Sequence, residues 1–361
     1  MNSKILFFLP NLNGGGAERV TVNIINKLDL KKVEPIVVLI EKKGSFIEFL
    51  PPNIEIIDLN AKKSIFSVMK LRKLIYFLNP DIIYSTLFRT HIAVDLALMG
   101  IQNKPKLIFR SPGSPRRFLE KNKYNLLVKF FLDRAYRNAD VIIAQTDEMK
   151  EDINIYHRID LKKILVLINP IDINYINKNL QNIQNPFVTD HINVVAAGRL
   201  DRVKGFDLLI KSFKKVIEQN DNFRLYIIGE DNGERKSLIK LIKSLSLDRF
   251  VFLLGFQFNP YKYFYYSDLY ILSSRSEGLP NTVLENLYLK KPIIATRCLR
   301  YIEKLIKDGR NGFLVDNEDY VGISNAILNY EKIDPGYETI CFNNSIIEKI
   351  FDAESIDTKD K

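Results

Sequence analysis

Cysteine is nearly missing from this chain: Cys298 and Cys341 are the two among 361 residues, and they do not stand at a metal-ligand spacing. That usage fits a reducing cytoplasm. Histidine is equally sparse, and His91, His157 and His191 are too scattered in sequence to suggest a metal cluster. There is no Asp-x-Asp element of the kind that holds a nucleotide-bound cation. Long hydrophobic runs are missing too; none approaches the ~20 residues that span a bilayer. A cleaved secretory leader is not expected, because the first apolar run follows a single lysine and soon meets a polar Asn/Gly stretch.

What is present suits a soluble globular protein of two domains. The chain is too long for one typical domain, 46% of it is hydrophobic, and its mean hydropathy is -0.08. The net charge of +10 is unevenly spread. Arg110, Arg116, Arg117, Lys121, Lys123, Lys129, Arg134 and Arg137 face only Glu120 and Asp133, in a stretch that also holds Phe118, Tyr124, Phe130 and Phe131. Basic residues interleaved with aromatics suit an anionic surface. No nucleic-acid fold signature accompanies them, so residues 110–137 are read as a surface for anionic membrane. An ordinary helix with aromatics inward and lysines outward fits the same residues.

Strand and helix patterns alternate almost throughout. Strands are expected at 4–9, 35–40, 54–59, 81–85, 106–110, 140–145 and 164–168, then near 192–197, 223–228, 251–254, 269–273, 292–295 and 313–315. Helical periodicity falls at 18–28, 64–78, 91–99, 122–137 and 147–156, and a last helix near 320–330. This is an α/β chain, with parallel sheets in two doubly wound Rossmann-like domains. The expected division is 1–172, an Asn/Gln-rich linker at 173–190, a second domain at 191–340, and 341–361 as a C-terminal helix and frayed tail.

Three strand-to-helix loops carry chemistry. Ser274-Arg275-Ser276-Glu277-Gly278-Leu279-Pro280-Asn281 follows an apolar strand and leads into a helix bearing Glu285, with Asn281 placed to cap it. Amides at a helix start favour a negative group, and two carboxylates beside them suit sugar hydroxyls and phosphates. A capped surface helix with two solvated glutamates is the plainer reading. The second loop, Gly198-Arg199-Leu200-Asp201-Arg202-Val203-Lys204-Gly205, sets Arg199 and Lys204 where open α/β sheets bind ligands. A guanidinium and an ammonium there hold a diphosphate without a metal; two solvated cations are the alternative. The third, Asn13-Gly14-Gly15-Gly16-Ala17-Glu18-Arg19, lets backbone amides approach a phosphate. It is neither a Walker loop nor a full dinucleotide fingerprint.

Taken together, Gly15-Gly16-Ala17-Glu18-Arg19, Asn169-Pro170-Ile171-Asp172, Gly198-Arg199-Leu200 with Lys204-Gly205, Ile228-Gly229, Leu254-Gly255-Phe256, Glu277-Gly278-Leu279-Pro280-Asn281 with Glu285, and Asp308-Gly309-Arg310-Asn311-Gly312 resemble the family-4 retaining glycosyltransferases of the GT-B fold. The markers keep the family's order from about residue 4 to about residue 330. The resemblance implies two Rossmann-like domains facing across a cleft, the first for the acceptor and the second for a nucleotide sugar. It also implies a C-terminal segment, about 342–352, that crosses back to the first domain. Arg199 and Lys204 would bind the diphosphate, and Glu285 the ribose hydroxyls. Glu277 with Gly278, Leu279, Pro280 and Asn281 would position the donor sugar. Gly255 and Phe256 would hold the base, with Glu230 nearby, and Gly15 and Gly16 would approach the phosphate. His91 is a candidate for orienting an acceptor or phosphate, or a structural histidine.

On this reading the chain moves a hexose or N-acetylhexosamine from a nucleotide-diphosphate sugar, UDP in preference to GDP. The acceptor is a surface glycan, lipid-linked, and neither cofactor nor metal is needed. The protein would be cytoplasmic and peripheral on the inner face of the membrane. One departure stands out: the family's Gly/Pro-rich turn after a late strand is here Arg297-Cys298-Leu299-Arg300-Tyr301-Ile302-Glu303, one residue shorter and without glycine. Two other readings remain open, a NAD-dependent oxidoreductase and a non-catalytic nucleotide-sugar-binding protein of the same fold. The first leaves the Glu277/Glu285 and Arg199/Lys204 pairs unexplained.

Overall fold

The computed structural model describes residues 2–13, 15–113, 125–187, 190–336 and 351. Two compact units divide the chain: Met1–Pro170 together with Phe342–Lys361, of which Phe351 is among the described residues, and Ile171–Cys341.

The first unit alternates β1 (Ser3–Leu9), α1 (Gly16–Ile25), β2 (Val33–Leu39), β3 (Glu55–Asp58), α2 (Ser64–Leu78), β4 (Ile82–Ser85), α3 (Phe88–Ala97), β5 (Lys106–Arg110), α4 (Asn125–Asn138), β6 (Val141–Ala144), α5 (Asp147–His157) and β7 (Ile164–Val166). The strands form one parallel sheet in the order β3-β2-β1-β4-β5-β6-β7. A sheet with helices on both faces needs strands that are apolar on both sides. Residues 5–9 show why: side chains alternate along a strand, so Ile5, Phe7 and Leu9 meet α1 while Leu6 and Phe8 meet α2, α3 and α4. Phe351 completes the α1 side, with its ring centroid 5.8 Å from those of Phe7 and Tyr84. Phe351, late in the chain, therefore packs on this unit.

The second unit holds α6 (Ile173–Asn179), β8 (Ile192–Ala197), α7 (Phe206–Ile217), β9 (Phe223–Ile228), α8 (Arg235–Ser244), β10 (Val251–Gly255), α9 (Tyr261–Tyr266), β11 (Leu269–Leu272), α10 (Asn281–Tyr288), β12 (Ile293–Thr296), α11 (Ile302–Leu305), β13 (Gly312–Val315) and α12 (Tyr320–Leu328). Its parallel sheet runs β10-β9-β8-β11-β12-β13. Strand order thus reverses direction between β8 and β11, and such a switch opens a crevice beyond the carboxyl ends of the two strands. The amphipathic stretch 206–218, with apolar residues at 206, 209, 210, 213, 216 and 217, forms α7; the first five are buried against the sheet and Ile217 is partly buried there.

The stretch 173–190 differs from the loose linker that its Asn/Gln content suggested. It opens with α6, capped by the Asp172 carboxylate accepting from Tyr175 N at 2.9 Å. Hydrogen bonds from Asn259 to the Asn179 carbonyl (2.7 Å) and from Tyr288 to Asn177 (2.9 Å) dock it on the second unit. Polar composition hid this, because asparagine side chains here satisfy specific backbone and hydroxyl partners rather than water. The expected C-terminal helix and frayed tail at 341–361 lie outside the described residues except for Phe351.

Candidate active site

Lys204 and Glu277, 73 residues apart, meet at the crevice between β8 and β11. Lys204 Nζ lies 2.7 Å from Glu277 Oε1, and the Ser274 hydroxyl donates to the same oxygen at 2.6 Å. The loops that carry them are built to match. After β8, the Asp201 carboxylate accepts from the amides of Val203 (2.9 Å) and Lys204 (3.3 Å), winding a short turn. Gly205 ends that turn with φ +65°, and a Cβ there would collide with the Ser273 carbonyl, so glycine is required twice over. Gly198 has room for no side chain either without crowding, because the Lys204 stem passes over it.

Sequence reasoning missed the residue that fastens the two loops. Arg275 donates to the Val203 carbonyl through its amide (2.7 Å) and to the Arg202 carbonyl through its guanidinium (2.6 Å). The same guanidinium makes a two-pronged bond to Asp207 (2.7 and 2.8 Å) and reaches Glu318 Oε1 at 2.6 Å. Burial alone would raise the Asp207 carboxyl, but the hydrogen bonds and charge of Arg275 outweigh it and hold the group below the usual carboxylate range. In turn the hydrogen bond to Asp207, with that to Glu318, raises the guanidinium. Arg275 stands two residues before Glu277, and nothing in one chain separates such an arginine from a solvated one; only its four partners do.

Glu285 lies in α10 and is 2% exposed. Tyr270 packs beneath, donating to Thr282 Oγ1 at 2.6 Å. Burial chiefly, then the nearby Glu277 and Glu285 carboxylates, push its phenol well up. Both carboxylates therefore lie near the buried Tyr270 hydroxyl. The cap of α10 differs from expectation. Asn281 is the first helical residue, the N-cap is Pro280, and no side-chain cap bond forms there. Leu279 and Pro280 are buried, whereas Gly278 and Asn281 are half-buried.

Beside β8, the ends of β9 and β10 are drawn close by glycines. Gly229 donates to the Gly255 carbonyl at 2.9 Å, and its missing Cβ leaves space for the Gly198 carbonyl. Gly255 adopts φ +72°, turning the chain at Phe256. Glu230 is exposed at the end of β9. Arg199 is half-exposed and stands 4.0 Å from Asp201, so its guanidinium is not joined to the Lys204–Glu277 pair.

The shortened turn at 297–303 needs no glycine, since no residue in it adopts a positive φ. Its inner residue is Cys298, buried beside Glu277; burial first, and that carboxylate second, push the thiol up to about 12. Arg297 points outward to Glu303, Asp308 and Asp316.

In the first unit, Gly15 is the N-cap of α1, and the Glu18 carboxylate lies so close that a Cβ on Gly15 would overlap it. Gly16 opens the helix; Gly14 lies outside the described residues. His91 is wholly buried, stacked on Phe109 at 4.6 Å and 3.2 Å from the Ser85 hydroxyl. Burial lowers its pKa to about 3, so the ring is neutral. The ring packs among Phe88, Phe109 and Tyr136.

Residues 14–175 match the family described as Glycosyltransferase Family 4, and residues 177–340 match Glycosyl transferases group 1. The chain is 32% identical over 330 residues to the N-acetylgalactosamine-N,N'-diacetylbacillosaminyl-diphospho-undecaprenol 4-alpha-N-acetylgalactosaminyltransferase of Campylobacter jejuni, covering 88% of this chain and 87% of that one. It is also 32% identical over 239 residues to an uncharacterized glycosyltransferase of Methanocaldococcus jannaschii, covering 63% of this chain and spanning 58% of that relative's length. The crystal structure of Anabaena HepE in complex with UDP and glucose superposes with a TM-score of 0.74 at 22% identity, over 91% of this chain and 89% of that one. At that identity the likeness speaks for the fold alone.

Proposed function

Because the chain belongs to the glycosyltransferases of Family 4 and group 1, with their GT-B fold, we propose that it is a retaining enzyme of surface-glycan assembly. It transfers a hexose or N-acetylhexosamine from a UDP-sugar to a lipid-linked acceptor. The observation that carries this reading is the Lys204–Glu277 pair at the strand switch of the second unit, 2.7 Å apart and largely shielded from water. A preformed cation there meets the negative charge that develops on the leaving diphosphate without reorganising, which is the most effective form of electrostatic catalysis. Arg199, half-exposed beside Asp201, adds a second cation. Glu277 and the amides from Gly278 to Asn281 position the sugar, Glu285 takes the ribose hydroxyls, and Gly255 with Phe256 supports the base. Since two cations are at hand, no metal is called for.

Retention follows from substitution on one face of the sugar: the departing phosphate oxygen accepts the proton of the acceptor hydroxyl as that hydroxyl attacks. Glu277 is the carboxylate available for a double displacement instead, but its Oε1 is already held by Lys204 and Ser274. A lipid-linked acceptor agrees with the undecaprenol-bearing substrate named for the Campylobacter jejuni relative. It agrees also with a cytoplasmic protein that is peripheral on the membrane. No helix among the described residues is long and apolar enough to cross a bilayer. The basic stretch 110–137 is one candidate contact, although 114–124 lies outside the described residues.

The test is a panel of UDP- and GDP-sugars incubated with the purified chain, with and without an undecaprenyl-diphosphate-linked glycan, in EDTA. Release of UDP with transfer to the glycan is expected. Binding of NAD but of no nucleotide sugar, or an inverted product, would refute the corresponding part of the reading.

A further inference from the structure

Tyr270 lies in β11 on the side away from the cluster that holds Leu269 and Ile271, because side chains alternate along a strand. Its ring meets Phe264 of α9 edge-on, with centroids 5.7 Å apart and planes at 81°. Both residues are wholly buried. The packing fixes the phenol in one direction, toward the first turn of α10, where it donates to Thr282 Oγ1 at 2.6 Å. The carbonyl of the same threonine accepts from Asn286 Nδ2 at 2.8 Å. Thr282 is thus held through its side chain and its backbone.

In this pair the phenol is the donor. Burial first, with the Glu277 and Glu285 carboxylates adding to it, keeps Tyr270 protonated. Thr282 Oγ1 accepts, which leaves the threonine's own hydrogen without an acceptor among the described residues. A helical threonine ordinarily turns that hydrogen back to the carbonyl four residues earlier. Thr21 in α1 does so, donating to the Ala17 carbonyl at 3.0 Å, whereas Thr282 makes no such bond to Gly278. Nor is Thr282 enclosed: it is half-buried, while Val283, Leu284, Glu285 and Asn286 after it are buried. Glu285 stands three residues on, along the same side of the helix. The free hydrogen therefore belongs to the part of α10 between the Glu277 loop and Glu285.

We propose that Tyr270 is a positioning residue of the donor site, which fixes Thr282 so that its hydroxyl donates to an oxygen of the nucleotide diphosphate. The inference rests on the sugar-transfer reading and adds to it a contact made by neither a cation nor a backbone amide. Hydrogen bonds to a charged oxygen are the stronger ones, and a hydroxyl already oriented by a rigid phenol gives up little freedom when the ligand arrives. Phenylalanine at position 270 would keep the packing on Phe264 and remove the hydroxyl alone. Thr282 would then be free to turn toward the Gly278 carbonyl.

The experiment is calorimetric titration of the full chain with UDP and GDP, and with uridine and guanosine, which lack the diphosphate, in competition with them. Thr282→Val is expected to weaken the nucleoside diphosphate about tenfold or more, as a bond to a charged group is lost, and to leave the nucleoside unchanged. Tyr270→Phe should weaken the diphosphate severalfold, again with the nucleoside unaltered. The double variant should bind no worse than Thr282→Val alone, because both changes interrupt one chain of bonds. Thr282→Ser retains the hydroxyl and should bind as the natural chain does. Diphosphate affinity untouched by Tyr270→Phe and Thr282→Val would overturn the proposal and leave the sugar-transfer reading standing. Equal losses for diphosphate and nucleoside would do the same, since Tyr270 would then be a packing residue only. A natural chain that binds neither UDP nor GDP would instead remove the sugar-transfer reading, and the proposal with it.

Discussion

At the scale of single residues, the site depends on a cation and a carboxylate that hold each other before any ligand arrives. Removing either leaves the other half-buried without this ion-pair partner, and on the proposed mechanism takes from the transition state a contact that strengthens as charge develops. Loss of one such contact costs about 2.7–4 kcal/mol. Glu277→Ala and Lys204→Ala should therefore each lower transfer at least a hundredfold while circular dichroism remains that of the natural chain. Near-normal turnover in both variants would show that the chemistry occurs elsewhere. Both residues were legible in the sequence, because each follows an apolar strand and precedes a helix with turn formers between. Arg199 was picked by the same logic, yet its guanidinium faces Asp201 rather than Glu277. Spacing places a residue on a loop; it does not orient a long side chain.

At the scale of elements, two loops from β8 and β11 keep their register because Arg275 spans them. A lysine at this position retains the charge but loses the planar fork that engages Asp207 and Glu318 together. Arg275→Lys is expected to reduce kcat about tenfold with little change in donor KM, since the loops would still bind but would hold Lys204 and Glu277 less well. Asp207→Asn should do the same, and the double variant should cost no more than either alone, as residues in one network are not additive. Additive losses, or a rise in KM alone, would mean that Arg275 acts on binding independently. The Asp207 carboxyl is held below its usual range. The stabilisation from this pair is thus complete above about pH 4 and fades only as pH falls through the depressed folded value.

At the scale of the whole molecule, the first unit carries a buried imidazole whose effect on stability has a definite sign. The pKa of His91 falls from 6.5 to about 3 on folding, so below pH 6.5 the unfolded chain binds a proton that the folded one does not. Stability is therefore full above pH 6.5 and declines as pH falls, by up to about 1.4 kcal/mol per pH unit from this group. Urea unfolding of the natural chain and of His91→Leu at pH 7 and pH 5 checks this: the variant should show the shallower pH dependence. Equal slopes would place the titration elsewhere, His157 being the other histidine that burial lowers.

What the sequence determined by itself was the sequence of layers. Alternating apolar strands and amphipathic helices are local patterns, and local sterics with burial are enough to make them β1 to β13 and the helices between. Glycines at 205 and 255 likewise mark turns whose positive φ favours glycine. What tertiary structure decided is everything that joins distant segments. It decided that Lys204 meets Glu277 across 73 residues, that Arg275 ties their loops, that Asn177 and Asn179 dock a supposed linker, and that His91 is core. Those outcomes depend on which strands become neighbours and on how much water each side chain loses, and neither quantity is a property of any stretch of chain taken alone.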